Sequence, residues 1–218
     1  MLSYLYPITI HKETSEISKT LEITFVNGKL VLDSKQTNYS YGSLQKILRK
    51  GLRFIGVDEI LKMNHILVLG VAGGSVIDTL VNEFKYKGQI SGVEMDQQVL
   101  DLGRKYFGLE KYTTLDLYHD EAFEFVLKTK LKYDLIIIDI FQDTYMPGFL
   151  FENFFQHRLT EIMQPNGYIL FNTMLLSKTD ETRNVFYVDS WKRKNVEVKL
   201  LPRLEHHNEV IIIKNTSS

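Results

Sequence analysis

From residue 65 onward the chain switches regularly between two hydrophobic patterns. Short, nearly continuous apolar runs at His65–Gly70, Gln89–Glu94, Thr113–Tyr118, Asp134–Asp139 and Tyr168–Thr173 read as strands buried on both faces. Between them, near 75–86, 97–107, 121–129 and 150–163, apolar residues recur at helical spacing. This alternation predicts βαβ units and a doubly wound α/β fold. The end differs: NVEVKLLP and NEVIIIKN are strand-like runs joined only by RLEHH, with no room for a crossover helix. They predict an antiparallel pair at the edge, and so a seven-stranded, mostly parallel sheet with an antiparallel C-terminal edge.

Upstream of residue 65 the pattern is different. In KTLEITFVNGKLVLDS, Asn27-Gly28 separates two alternating runs, Leu21/Ile23/Phe25 and Leu30/Leu32. Asn-Gly is a strong hairpin signal, because both central positions of a type I′ turn need positive φ. Next, Leu44, Ile47, Leu48, Leu52 and Ile55 recur at helical spacing, with Lys46, Arg49, Lys50 and Arg53 mostly opposite, as on a solvated helix face. The expected division is a β-hairpin region over 1–40 and a Rossmann-like α/β domain over 41–218.

Composition narrows the function. The chain has 218 residues, 44% hydrophobic and 24% charged, enough to bury a large core. It has no cysteine, which excludes disulfides and thiolate chemistry. A net charge of −1 offers no electrostatic case for nucleic acid. No stretch is apolar enough to span a bilayer, and MLSYLYPITIHKET lacks the basic start and long apolar core of a signal peptide, so a cytoplasmic location is expected. His206 and His207 have no third ligand nearby, so no metal is expected, and Trp191 and the tyrosines read as packing.

In an open parallel sheet, ligands bind at the carboxyl ends of the strands. The first strand ends in Gly70-Val71-Ala72-Gly73-Gly74-Ser75, the second reaches Glu94 and Asp96, the third Asp120 and Glu121, and the fourth Asp139, with Asp143 one short loop further. Glycines permit a sharp turn and close approach to a ligand. A carboxylate ending the second strand can accept both ribose hydroxyls, and one after the third can accept from an exocyclic amine. Asp96 and Asp120 also suit helix N-caps, the commonest role of such acids. Asp139 stands among apolar residues in LIIIDI, and a buried acid needs a partner or a function. Asn172, at the end of the fifth strand, lies near the same rim.

Two ligand classes place a ribose on a second-strand acid. A dinucleotide fingerprint reads G-x-G-x-x-G, whereas this chain has G-x-x-G-G-S, which disfavours a nicotinamide-dependent oxidoreductase. An adenosyl sulfonium needs only a close glycine turn, and its positive charge suits surrounding carboxylates. At this point ILVLGVAGGSV, ISGVEMDQQVLDLGRKYFGL, LYHDEAFEFV, YDLIIIDIFQD and LTEIMQPNGYILFN together resemble the spermidine synthase-like branch of the Rossmann-fold S-adenosylmethionine-dependent transferases. GKLVLDS is similar to a turn of that family's N-terminal β-domain.

The resemblance implies a class I methyltransferase-like fold. It also implies transfer of an aminopropyl (or methyl) group from decarboxylated S-adenosylmethionine, or S-adenosylmethionine itself, to a small-molecule amine acceptor. Carried over, Gly70, Gly73 and Gly74 form the donor loop. Glu94 binds the ribose, while Asp120, with Glu121 beside it, binds the adenine amine. Asp139 assists deprotonation of the attacking amine, Tyr41 holds that acid or the substrate, and Asp143 holds a cationic acceptor or caps the next helix. Pairing through the N-terminal β-structure implies a homodimer. The chain departs from the family in four places: Gly73 stands where an aspartate is usual, the Tyr41-Gly42-Ser43 run lacks the family's acid, Asp139 and Asp143 are one residue further apart than D-x-x-D, and the stretch between Asp33 and Tyr41 is shorter. These losses leave two further readings open: a methyltransferase of other substrate, and a catalytically degenerate binding protein.

Overall fold

The computed structural model describes residues 6–34, 38–40, 43–141, 145–192 and 195–217. Among them, β1 (Ile8–Ser15), β2 (Lys19–Val26), β3 (Lys29–Ser34) and β4 (Asn38–Ser40) form an antiparallel sheet in the order β1-β2-β3-β4. Asn27 and Gly28 have φ of 49° and 76°, as the type I′ reading requires. The expected hairpin is therefore β2–β3, extended by one strand on each side. Its apolar face is not a separate core: Leu21, Ile23 and Leu32 bury against Val99 and Leu102 of α4 (Gln97–Phe107).

The second sheet has seven strands: β5 (His65–Leu69), β6 (Gln89–Glu94), β7 (Leu115–His119), β8 (Tyr133–Ile138), β9 (Met163–Met174), β10 (Val196–Leu204) and β11 (Asn208–Asn215). Their order is β10-β11-β9-β8-β5-β6-β7. β5 pairs in parallel with both β6 and β8, so the strand order reverses at β5, where a ligand crevice opens. β11 runs antiparallel between β9 and β10. Ile66, Leu67, Val68, Leu69, Leu135, Ile136, Ile137 and Ile138 are fully buried, which explains the continuous apolar runs.

α1 (Ser43–Ile55) lays Ile47, Leu48 and Leu52 on one face of the sheet. Arg49 and Arg53 pair with Glu83 at 2.7 and 2.8 Å, and Lys50 with Glu205 at 3.4 Å. A short helix, α2 (Val57–Ile60), leads into β5. α3 (Ser75–Asp78) continues as a π-helical turn to Glu83, shorter than the pattern near 75–86 suggests. α5 (Ala122–Lys128) and α6 (Asn153–Ile162) cover the other face, with Phe123, Phe149 and Phe155 packed as aromatic neighbours and Phe151 against Phe171.

Like the four-residue α2, α7 (Lys178–Trp191) is absent from the sequence expectation. Its inward residues are Asn184, Tyr187 and Trp191, whereas Val185 and Phe186 are 58% and 68% exposed, so its apolar residues do not mark its buried face. The signal that does mark it is a capping box: Ser177 Oγ accepts from the Asp180 N–H, and Asp180 accepts from the Ser177 N–H. No helix among the described residues is long and apolar enough to cross a membrane.

Candidate active site

β5 ends at Leu69, and the chain must then leave the sheet without colliding with the neighbouring strand ends. Gly70 has φ +88°, and a Cβ there would lie 2.2 Å from the Asp139 carbonyl oxygen. Gly74 has φ +78°, and its Cβ would lie 2.3 Å from Leu109 Cδ2. Both glycines are thus demanded by the protein's own packing as well as by backbone conformation. The N–H groups of Gly70 and Gly74 bond the carbonyls of Val93 and Val71. The turn therefore contributes a bare, closely packed surface, including the buried Gly73, more than an array of donors.

Glu94, at the tip of β6, is held from two sides. Its Oε2 accepts from the Ala72 N–H at 3.0 Å and its Oε1 from the Asp96 N–H at 3.1 Å. The glycine turn and the second-strand acid are thereby one unit. Burial pushes the Glu94 pKa up, the backbone donors pull it down, and Asp96 raises it.

Asp96 is the N-cap of α4: Oδ1 accepts from the Gln98 N–H at 3.0 Å. Its Oδ2 accepts from Ser15 Oγ and Ser18 Oγ at 2.5 and 2.6 Å. These serines sit in the β1–β2 turn, so that turn is fastened directly behind Glu94. Nothing in the local pattern around Ser15 and Ser18 signals this, because the partner is about eighty residues away.

The Asp120 N–H bonds the Glu94 carbonyl at 3.2 Å, extending the β6–β7 ladder and placing Asp120 beside Glu94. Asp120 Oδ1 accepts from the Glu121 N–H at 2.9 Å. The cap of α5 is Glu121, whose Oε2 accepts from Phe123 and Glu124 N–H groups. Its carboxylate is committed to that helix.

Asp139 lies one residue past β8, its N–H bonded to the Leu69 carbonyl at 2.9 Å. Burial raises its pKa to about 6, opposed by a hydrogen bond from Asn172 and reinforced by the charge of Glu94. Asn172 Nδ2 donates to Asp139 Oδ1 at 2.9 Å. Asn172 thus reaches the same rim and holds Asp139 there. Tyr41 and Asp143 lie outside the described residues. Glu94, Asp120 and Asp139 converge on one rim, linked through Gly70 and Ala72.

Such a rim combines a side-chain-free turn, carboxylates at consecutive strand ends, and a buried acid with a raised pKa. The family described as spermine/spermidine synthase domain has a model that matches residues 29–187. A probable polyamine aminopropyl transferase of Bifidobacterium longum is 26% identical over 173 residues, 76% of this chain and 37% of that protein. A polyamine aminopropyltransferase of Vibrio vulnificus is 26% identical over 129 residues, 58% of this chain and 43% of that protein. The chain thus spans less than half the length of these curated relatives. A spermidine synthase solved with the transition state analogue AdoDATO aligns with TM-score 0.71 at 18% identity, covering 95% of this chain and 73% of that one. Human methyltransferase-like protein 13 in complex with SAH aligns with TM-score 0.64 at 18% identity, covering 79% and 82%. At these identities the two structures establish a shared fold.

Proposed function

This chain belongs to the spermine/spermidine synthase family, and from that premise we propose that its rim transfers an aminopropyl group from decarboxylated S-adenosylmethionine to an amine. The observation that carries the reading is the junction of Glu94 and Asp139 across Gly70, at the point where the strand order reverses.

In this reading Glu94 accepts the two ribose hydroxyls. The Ala72 and Asp96 N–H groups fix one oxygen each, the Met95 N–H also acts on the carboxylate, and together they orient it for the ribose. Asp120 accepts from the adenine amine, and Gly70, Gly73 and Gly74 admit the nucleoside. Glu121 holds α5 and thereby the loop that carries Asp120. Asp139 takes a proton from the acceptor amine. The nitrogen lone pair then attacks the aminopropyl carbon next to sulfur. The C–S bond breaks, sulfur keeps the electron pair, and methylthioadenosine leaves as a neutral thioether. Positioning and desolvation supply most of the rate. Tyr41 and Asp143 belong to the acceptor side. With Gly73 and Ser43 standing where the family carries two acids, the acceptor meets fewer carboxylates. A homodimer through the N-terminal sheet is part of the same proposal, supported by exposed Ile8 and Ile10 on β1.

The test is incubation with decarboxylated S-adenosylmethionine and a panel running from monoamines to tetraamines. Amine-dependent release of methylthioadenosine is expected. Release of S-adenosylhomocysteine from S-adenosylmethionine would replace the proposal with methyl transfer. Binding of either donor without turnover would identify a degenerate binding protein.

A further inference from the structure

Because β11 runs against β9, the first residues of β11 lie at the same rim as the last residues of β9. Asn208 opens β11 opposite Met174, and Val210 pairs with Asn172. Asn208 Nδ2 donates to Asn172 Oδ1 at 3.0 Å, and Asn172 Nδ2 donates to Asp139 Oδ1 at 2.9 Å. Two amides thus run head to tail across β11 and β9 to the acid beyond β8. Asn172 is fully buried and Asn208 is 9% exposed, so water competes little for these groups. The backbone under Asn208 is fixed by the β9–β11 ladder and by the Leu175 N–H bonded to the His207 carbonyl at 2.7 Å.

A carboxamide has one accepting end and one donating end. Turned the wrong way, Asn172 would present its oxygen to the carboxylate oxygen of Asp139. Donation from Asn208 occupies that oxygen and reserves the NH₂ group for Asp139. We propose that Asn208 is a positioning residue, acting through the orientation of Asn172 to hold the Asp139 carboxylate ready as a base. This rests on the reading of Asp139 as the base. Among the described residues, Glu94 on β6 is the charged group acting on Asp139. β5 offers backbone at Gly70, and β9 offers neutral Asn172. α1, which packs over this face, directs Arg49 and Arg53 to Glu83 and Lys50 to Glu205, while Lys46 is exposed.

The experiment follows the carboxyl carbon of Asp139 by NMR in the full chain labelled at aspartate, its resonance identified by loss in Asp139→Asn. Asn172→Ala and Asn208→Ala should each move the Asp139 titration midpoint upward by about half to one unit. Combining them should add nothing to Asn172→Ala alone, because Asn208 acts through Asn172. Asn208→Asp preserves shape but cannot donate when ionised. It should turn Asn172 around and raise the midpoint further, and lose the part of that rise exceeding its own charge effect once Asn172 is alanine. Melting curves verify that each variant is folded. An unmoved midpoint in folded Asn208→Asp, or equal shifts with and without Asn172, overturns the relay. The base reading fails separately: Asp139→Asn with wild-type turnover would remove the base while leaving the relay measurable by NMR.

Discussion

Asp139 combines two physical demands that oppose each other. Burial raises its pKa from 3.8 to about 6, and the native state therefore holds its proton more tightly than the unfolded chain. The stability associated with this group is present below about pH 4 and is lost as pH rises through about 6. Asp139→Asn should therefore be more stable than wild type by about 1–3 kcal/mol at pH 8, with the difference vanishing below about pH 4. Urea denaturation at both pH values measures this. Asp33, raised to about 6 by burial and by Glu22, is present in both proteins and cancels. The same substitution should lower turnover by about a hundredfold or more. LIIIDI marks this acid in the sequence, since a lone carboxylate in an apolar run stands out. Asn208 leaves no such mark: an asparagine opening a strand is ordinary, and its importance arises from what lies two strands away.

At the scale of elements, the N-terminal sheet is fastened to the α/β domain rather than merely appended. Two serine hydroxyls of the β1–β2 turn converge on Asp96, which caps α4 and whose N–H holds Glu94. Replacing both with alanine removes two charge-assisted hydrogen bonds from a buried carboxylate, at a cost of about 2–4 kcal/mol. The Ser15→Ala/Ser18→Ala protein should unfold at correspondingly lower urea and bind donor more weakly. Unchanged stability would mean that water replaces the hydroxyls. Periodicity reveals the β2–β3 hairpin and α4, because both follow local rules. It does not reveal the clasp between them, nor α7, whose buried face carries Asn184 and whose neighbours Val185 and Phe186 face outward.

At the scale of the whole molecule, one ligand would join the ends of β5, β6, β7 and β8. Donor or methylthioadenosine at a hundred times its Kd should stabilise the native state by about 2.7 kcal/mol. For a chain of this size that is a rise in Tm of about 5–10 °C. Glu94→Gln should abolish most of the rise, and an NAD-specific rise would contradict the adenosyl-sulfonium reading. The amino-acid order alone determined the strand and helix alternation, the hairpin at Asn27-Gly28, and the set of acids at consecutive strand ends. Each of these depends on residues close together in the chain, where periodicity and turn chemistry act. Only the tertiary structure decided that Gly70 makes room for the Asp139 carbonyl, that Ser15 and Ser18 secure Asp96, and that Asn208 reaches Asp139 through Asn172. Those contacts join distant segments through strand order and direction, and a hydrogen bond between two such segments has no signature in either one alone.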